Sequence, residues 1–134
     1  MGTRAPGMTF EPRTAVGVPS AFGRVSAPLP PAQGFDKLDH RYRAAMIQHK
    51  LADMIHDALR LRGQTLPQFL AAAPPIPGLS PDRQRRMLRG ETAAQFADLA
   101  FWASVFPKIA TDIAEYIGSW PMEQIARREE GAGR

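Results

Sequence analysis

The 134-residue chain contains no cysteine, which excludes a disulfide scaffold, cysteine-type structural zinc sites and every thiolate nucleophile. Long apolar runs are missing as well. No stretch approaches the ~18–20 uninterrupted apolar residues that a membrane-spanning helix needs, because charged residues interrupt every periodic segment. The start of the chain lacks a continuous apolar signal region, and Pro6 stands where a myristoylation signal needs Ser or Thr. A soluble, cytoplasmic protein without membrane contact is the expectation. Strand-type alternation of apolar and polar residues is also absent, so the chain reads as all-α.

Lysine is scarce, and that scarcity shapes the charge. Fourteen of the seventeen basic residues are Arg, against thirteen acidic residues, for a formal charge of +4. Arginine's planar fork of donors suits phosphate and guanine better than a lysine ammonium does. The excess is unevenly distributed: residues 79–93 and 36–62 each carry a net +2, whereas residues 94–134 carry a net −2.

Residues 1–34 hold six of the thirteen prolines, five glycines and one acidic residue, with no helical or alternating period. This composition predicts a disordered arm, and Arg4, Arg13 and Arg24 within it receive no assigned contact. From Asp36 onward, helical spacing takes over. Leu38, Tyr42, Ala45 and Met46, then Ile47, Leu51, Met54, Ile55 and Leu59, predict one long helix or two abutting ones. Asp36 is the expected N-cap and Gly63 the expected C-terminal stop. The stripe of residues 38–46 is offset from that of 47–59. The front half should therefore pack on something different from the back half, a dimer partner being one candidate.

Thr65 opens a brief second helix carrying Leu66, Phe69 and Leu70, which runs into the proline-rich stretch 74–78. Ser80-Pro81-Asp82 then combines a capping hydroxyl, proline in the first turn and an early acid, so a third helix is expected over residues 81–89. A fourth carries Phe96, Leu99, Ala103 and Phe106 as its inner stripe, with Trp102 at the border, until Pro107 breaks it. A fifth carries Ile109, Ile113, Tyr116, Ile117 and Trp120. In total about five helices are expected over residues 35–126, followed by a flexible tail at 127–134.

A short helix, a turn and a second short helix rich in Arg is an arrangement that the DNA major groove accepts. The second helix must present long donors opposite its core anchors. With Met87 and Leu88 facing inward, Arg83, Arg85 and Arg86 are the candidate base-reading residues. Gln84 either hydrogen-bonds a neighbouring carbonyl or turns outward to read adenine. Lys50, Arg62, Gln64, Thr65, Ser80 and Arg89 are the candidate backbone contacts. Affinity would come chiefly from phosphates and discrimination from the bases.

Over residues 51–106 the chain resembles the lambda-repressor-like (Xre/Cro) helix-turn-helix domains. The resemblance rests on Arg62-Gly63, Thr65, Phe69-Leu70, Ser80, Arg89-Gly90-Glu91 and Asp98-Leu99-Ala100, which occur in the family's order. It implies a transcriptional regulator that binds double-stranded DNA. The chain departs from the pattern in the insert at 74–78, in Leu70 where a small residue is usual, and in Gln84 where an apolar residue usually enters the core. A protein-binding adaptor or antiactivator on the same scaffold is the alternative.

Other constellations are less informative. His49, Asp53 and His56 share one helical face, but three ligands on one rod do not converge on a single ion, so no metal or cofactor is assigned. No nucleophile, oxyanion hole or phosphate-binding glycine loop accompanies the Asp53 and Asp57 carboxylates, and the chain is not expected to be an enzyme. The apolar C-terminal helix is wider than a small domain needs. A homodimer is therefore expected, with a protein partner on that helix as the second option.

Overall fold

Helix boundaries fall where side chains can satisfy the free backbone groups at helix ends. The structure, a computed structural model, describes residues 10–120. Its α-helices are α1 His40–Leu61, α2 Leu66–Ala72, α3 Pro81–Leu88, α4 Phe96–Val105 and α5 Pro107–Gly118. The all-α class and five helices agree with the apolar periodicity. Among the described residues the only extended pairing is an isolated bridge between Val16 and Pro31. The expected tail at 127–134, and any helical continuation to 126, lie outside the described residues.

The caps agree with the sequence at two of three starts. Thr65 accepts from the Gln68 backbone N–H, while the Gln68 side chain accepts from the Thr65 N–H, closing a capping box around α2. Ser80 accepts from the Arg83 N–H at 3.2 Å. For α1 the cap is Asp39 rather than Asp36: Asp39 accepts from the Arg41 N–H, whereas Asp36 accepts from the Leu38 N–H in the preceding turn. The Arg41 guanidinium beside it holds the Asp39 carboxyl down at about 2, so the cap stays charged at ordinary pH.

α1 is one continuous helix whose two halves pack on different material. Leu51, Ala52, Ile55 and Leu59 join Leu70, Met87, Leu88, Trp102, Ile109 and Ile113 in the main core. Tyr42, Ala45 and Met46 instead meet Ala15, Val16, Phe22 and Leu29 in a second cluster. The partner of the front half is thus the chain's own N-terminal region.

This overturns the expectation of a disordered arm for residues 10–34; residues 1–9 lie outside the described residues. The segment is an ordered strap, built from two 3-10 turns, Pro12–Ala15 and Pro19–Ala21, and fixed by its side chains. Val16 and Phe22 are almost wholly buried. The Tyr42 hydroxyl donates to the Leu29 carbonyl at 2.6 Å. On α1, buried His49 accepts from the Gly23 N–H through Nδ1 at 2.8 Å, which leaves Nε2–H to donate to the Ala27 carbonyl at 3.0 Å. The prolines that mimic disorder in the composition supply fixed φ angles in a segment with few backbone bonds to make.

The strap also touches the end of α3. The Arg13 N–H donates to the Gly90 carbonyl at 3.0 Å, and the Phe22 ring lies against Gly90. At Gly23, φ is +72°, and a Cβ there would run into the Leu88 carbonyl oxygen and Ala52. Phe22→Ala should lower stability by about 3–5 kcal/mol and Gly23→Ala by more than about 1 kcal/mol. Urea unfolding followed by tryptophan fluorescence checks both, and unchanged midpoints would mean that the strap is dispensable.

Candidate nucleic-acid interface

The sequence of α3 divides into inward and outward residues by helical geometry. Met87 and Leu88 are buried, as expected, and Gln84 is fully buried with them. Outward, Asp82, Arg86 and Arg89 fall at i, i+4 and i+7 and form an exposed stripe, with half-buried Arg85 beside it. The Arg86 guanidinium pairs with Asp82 at 3.2 Å along this stripe.

Two of the four candidate base readers are corrected. The Gln84 amide donates to Asp98 Oδ1 at 2.9 Å, and its carbonyl accepts from the Trp102 indole N–H at 2.8 Å. Turning outward would strand both partners, so Gln84 takes the core role and not the adenine-reading one. Arg83 donates to Asp98 Oδ2 at 2.6 Å, and the pair is mostly buried, with Arg83 only 18% exposed and Asp98 not at all. This guanidinium is committed to the α3–α4 contact. Arg85 and Arg86 remain available.

Asp98 is the centre of the arrangement. Its carboxylate accepts from Arg83, Gln84 and the Gln95 backbone N–H, so that both oxygens find donors. Gln48 of α1 makes a second lock on the same region. Its amide donates to the carbonyls of Met87 and Thr92, and its carbonyl accepts from the Ala94 N–H. Trp102 is completely buried, contrary to the border position expected for it. Its ring packs on Phe69 at 5.2 Å, on Phe101 at 5.1 Å and in a stack with Phe106 at 6.3 Å. Phe96, expected on the inner stripe, is instead 91% exposed.

The candidate backbone contacts are spread more widely. Gln64 and Thr65 sit at the entry to α2, Ser80 at the entry to α3 and Arg89 at its end. Thr65 and Ser80 use their oxygens as caps and keep exposed positions. Arg62 ends α1 with its guanidinium 5.0 Å above the Phe106 ring. Lys50 stands apart, mid-helix on α1, roughly 18 Å of helix before Arg62 at 1.5 Å per residue. It does not belong to the same patch.

α2 and α3 are joined by residues 73–80, where Gly78 adopts φ +82° and the Leu79 N–H donates to the Ile76 carbonyl at 3.0 Å. The insert at 74–78 is thus an exposed turn beside α3. Sequence reasoning left Arg24 without a contact because the strap was read as disordered. Its placement follows from Phe22 and Gly23, which wedge the strap between α1 and α3 and bring Arg24 to a cleft shared with Arg85 and Arg89. The Phe-Gly pair was the only local signal. His56 lines the same cleft. Surrounding protein mass holds its ionisation below the ordinary value, and Arg24 pushes the same way against Asp53. Among the described residues, no group of three or more His, Asp or Glu side chains is arranged to hold a metal ion.

No family model, curated protein or solved structure matches the chain. The interface therefore stands on its geometry.

Asp98→Ala removes the acceptor of three donors and should cost about 3–5 kcal/mol, the range for breaking a buried pair. Arg83→Ala removes one of those donors and should likewise lower stability. Urea denaturation midpoints of the two variants check both, and unchanged midpoints would mean that the network is dispensable.

Proposed function

We propose that the chain is a sequence-specific, double-stranded-DNA-binding transcriptional regulator that inserts α3 into the major groove, in the manner of the lambda-repressor-like domains it resembles. The observation that carries this reading is the outward stripe of α3. A short helix is anchored by Gln84, Met87 and Leu88, while Arg85, Arg86 and Arg89 stay accessible along its open side. α2 stands before it with Gln64 and Thr65 at its entry, suited to brace on a phosphate.

Within this reading Arg86 and Arg85 read bases, and guanine displaces the Asp82 carboxylate that pairs with Arg86. Arg62, Gln64, Thr65, Ser80 and Arg89 contact the backbone. Arg86→Ala should flatten sequence preference, losing about 1–3 kcal/mol of discrimination at one base pair. Arg89→Ala should weaken all sequences alike and reduce the salt slope by about one. Selection from random DNA at ~150 mM salt, followed by anisotropy titrations, checks both. Unchanged preference in Arg86→Ala, or no enriched motif with wild type, overturns the reading.

The same proposal extends to a homodimer. α1, α4, α5 and the start of the strap border an apolar groove of about 470 Å³ lined by Phe10, Ile47, Leu51, Leu99 and Ile113, with exposed Phe96 at its rim. Groove and protruding ring lie on one face, the arrangement a two-fold contact between copies requires. Phe96→Asp should convert the dimer to a monomer in sedimentation and weaken binding to paired half-sites more than to a single one. This groove also favours the second reading, an adaptor or antiactivator that docks a protein there. A monomeric wild type that binds no DNA would point to it.

A further inference from the structure

A cleft of about 480 Å³ with a mixed polar and apolar lining lies between the strap, α1, the start of α2 and α3. Its size lies within the range of small-molecule sites. Arg24 enters from the strap, Arg60 from α1, and Arg85 and Arg89 from α3. Asp53 and Asp57 are the two acids on its walls, leaving a net charge of +2. Arg60 already pairs with Asp57. Among the described residues, Arg24, Arg85 and Arg89 have no carboxylate partner within 4.0 Å. Three uncommitted guanidinium groups thus line one concave site, and Leu66 and Pro67 at the start of α2 give it apolar wall.

A carboxylate monoanion would leave this cleft with surplus positive charge. A phosphate monoester carries about −1.5 to −2 at neutral pH and offers three acceptor oxygens, matching both the net charge and the number of uncommitted forks. The apolar wall calls for a ligand with an apolar or aromatic body joined to that phosphate. DNA backbone phosphate shares the chemistry but is a singly charged diester, and its sugar-phosphate chain has no such body to place against Leu66 and Pro67.

We propose that this cleft binds a small phosphate monoester with an apolar or aromatic body, and that the ligand competes with DNA for Arg85 and Arg89. Only the competition rests on the DNA-binding reading above; ligand binding is measured without DNA. The strap is then a structural wall of the site, since Arg24 reaches it only while Phe22 and Gly23 hold the strap down.

The test uses phenyl phosphate as probe, with inorganic phosphate and phenol as its halves, titrated into the full chain by calorimetry at ~150 mM salt. Saturable binding at one site is expected, with Kd below ~1 mM and each half at least ~10-fold weaker. Arg24→Ala and Arg89→Ala, both at exposed positions, should each weaken binding by ~10-fold. Arg43→Ala removes the same charge at a remote position above the Trp120 ring and should change nothing. On selected DNA, excess phenyl phosphate should reduce affinity. Lack of saturation up to ~10 mM, equal binding of inorganic phosphate, or an equal loss in Arg43→Ala each overturns the ligand site. DNA binding weakened by Arg24→Ala without any probe binding would reassign these arginines to DNA backbone. Probe binding without any DNA binding would keep the site and remove the regulator reading and its competition.

Discussion

The orientation of α3 depends on the buried carboxylate of Asp98. A buried carboxylate is costly unless it is paired and hydrogen-bonded, and three donors serve its two oxygens here: Arg83, the Gln84 amide and the Gln95 backbone N–H. Two of those donors lie on α3. A roll of α3 about its axis would break both bonds and strand the Trp102 indole, which donates to Gln84. The network therefore acts as a rotational lock. It decides which α3 residues face outward, and so converts a run of four arginines into one structural residue and three accessible ones. Hydrophobic anchors alone, Met87 and Leu88, would specify that rotation less sharply, since apolar contacts carry no direction.

The strap adds a second constraint. It fixes the front half of α1 and the C-terminal end of α3 together, through Phe22 against Gly90 and the Arg13-to-Gly90 hydrogen bond. Both clamps converge on one short helix: Asp98 of α4 and Gln48 of α1 hold its inner side, and the strap holds it at its end. An eight-residue helix lies below the length at which helices are stable in water, so its order comes from these tertiary contacts.

Much of this was legible in the sequence, and the parts that were not share a cause. The helices, the caps at Thr65 and Ser80, the glycine stops and the inward Met87 and Leu88 all depend on neighbours within one or two turns. The offset between the two stripes of α1 was also readable, and it implied two different packing partners. The identity of the first partner was hidden, because Val16, Phe22 and Leu29 are isolated apolar residues in a segment without period, and their burial depends on Tyr42, Ala45 and Met46 far along the chain. The Gln84–Asp98 pairing was hidden for a related reason. Asp98 alone reads as a surface residue and Gln84 as either inward or outward, and only their contact across fourteen positions makes burial affordable. Phe96 misled in the opposite sense: its apolar character fits the stripe, but Asp98 and Trp102 take the inward face of α4, which turns Phe96 out to the solvent.

The same commitments determine how the positive charge is deployed. A formal +4 is modest, and several arginines are already tied: Arg83 to Asp98, Arg60 to Asp57 and Arg41 to Asp39, with Arg43 above the Trp120 ring. What is left uncommitted concentrates around α3, where Arg85 and Arg89 meet Arg24 from the strap. Arg86 is held only by an exposed i, i+4 pair with Asp82, which contributes little and yields readily to a better acceptor. Local field rather than total charge is therefore what an anion would sense. Because Arg85 and Arg89 belong at once to the open face of α3 and to the wall of the cleft, an anion bound in the cleft and a duplex bound on the face would draw on the same two side chains. Their occupancy would be coupled without any movement of the backbone.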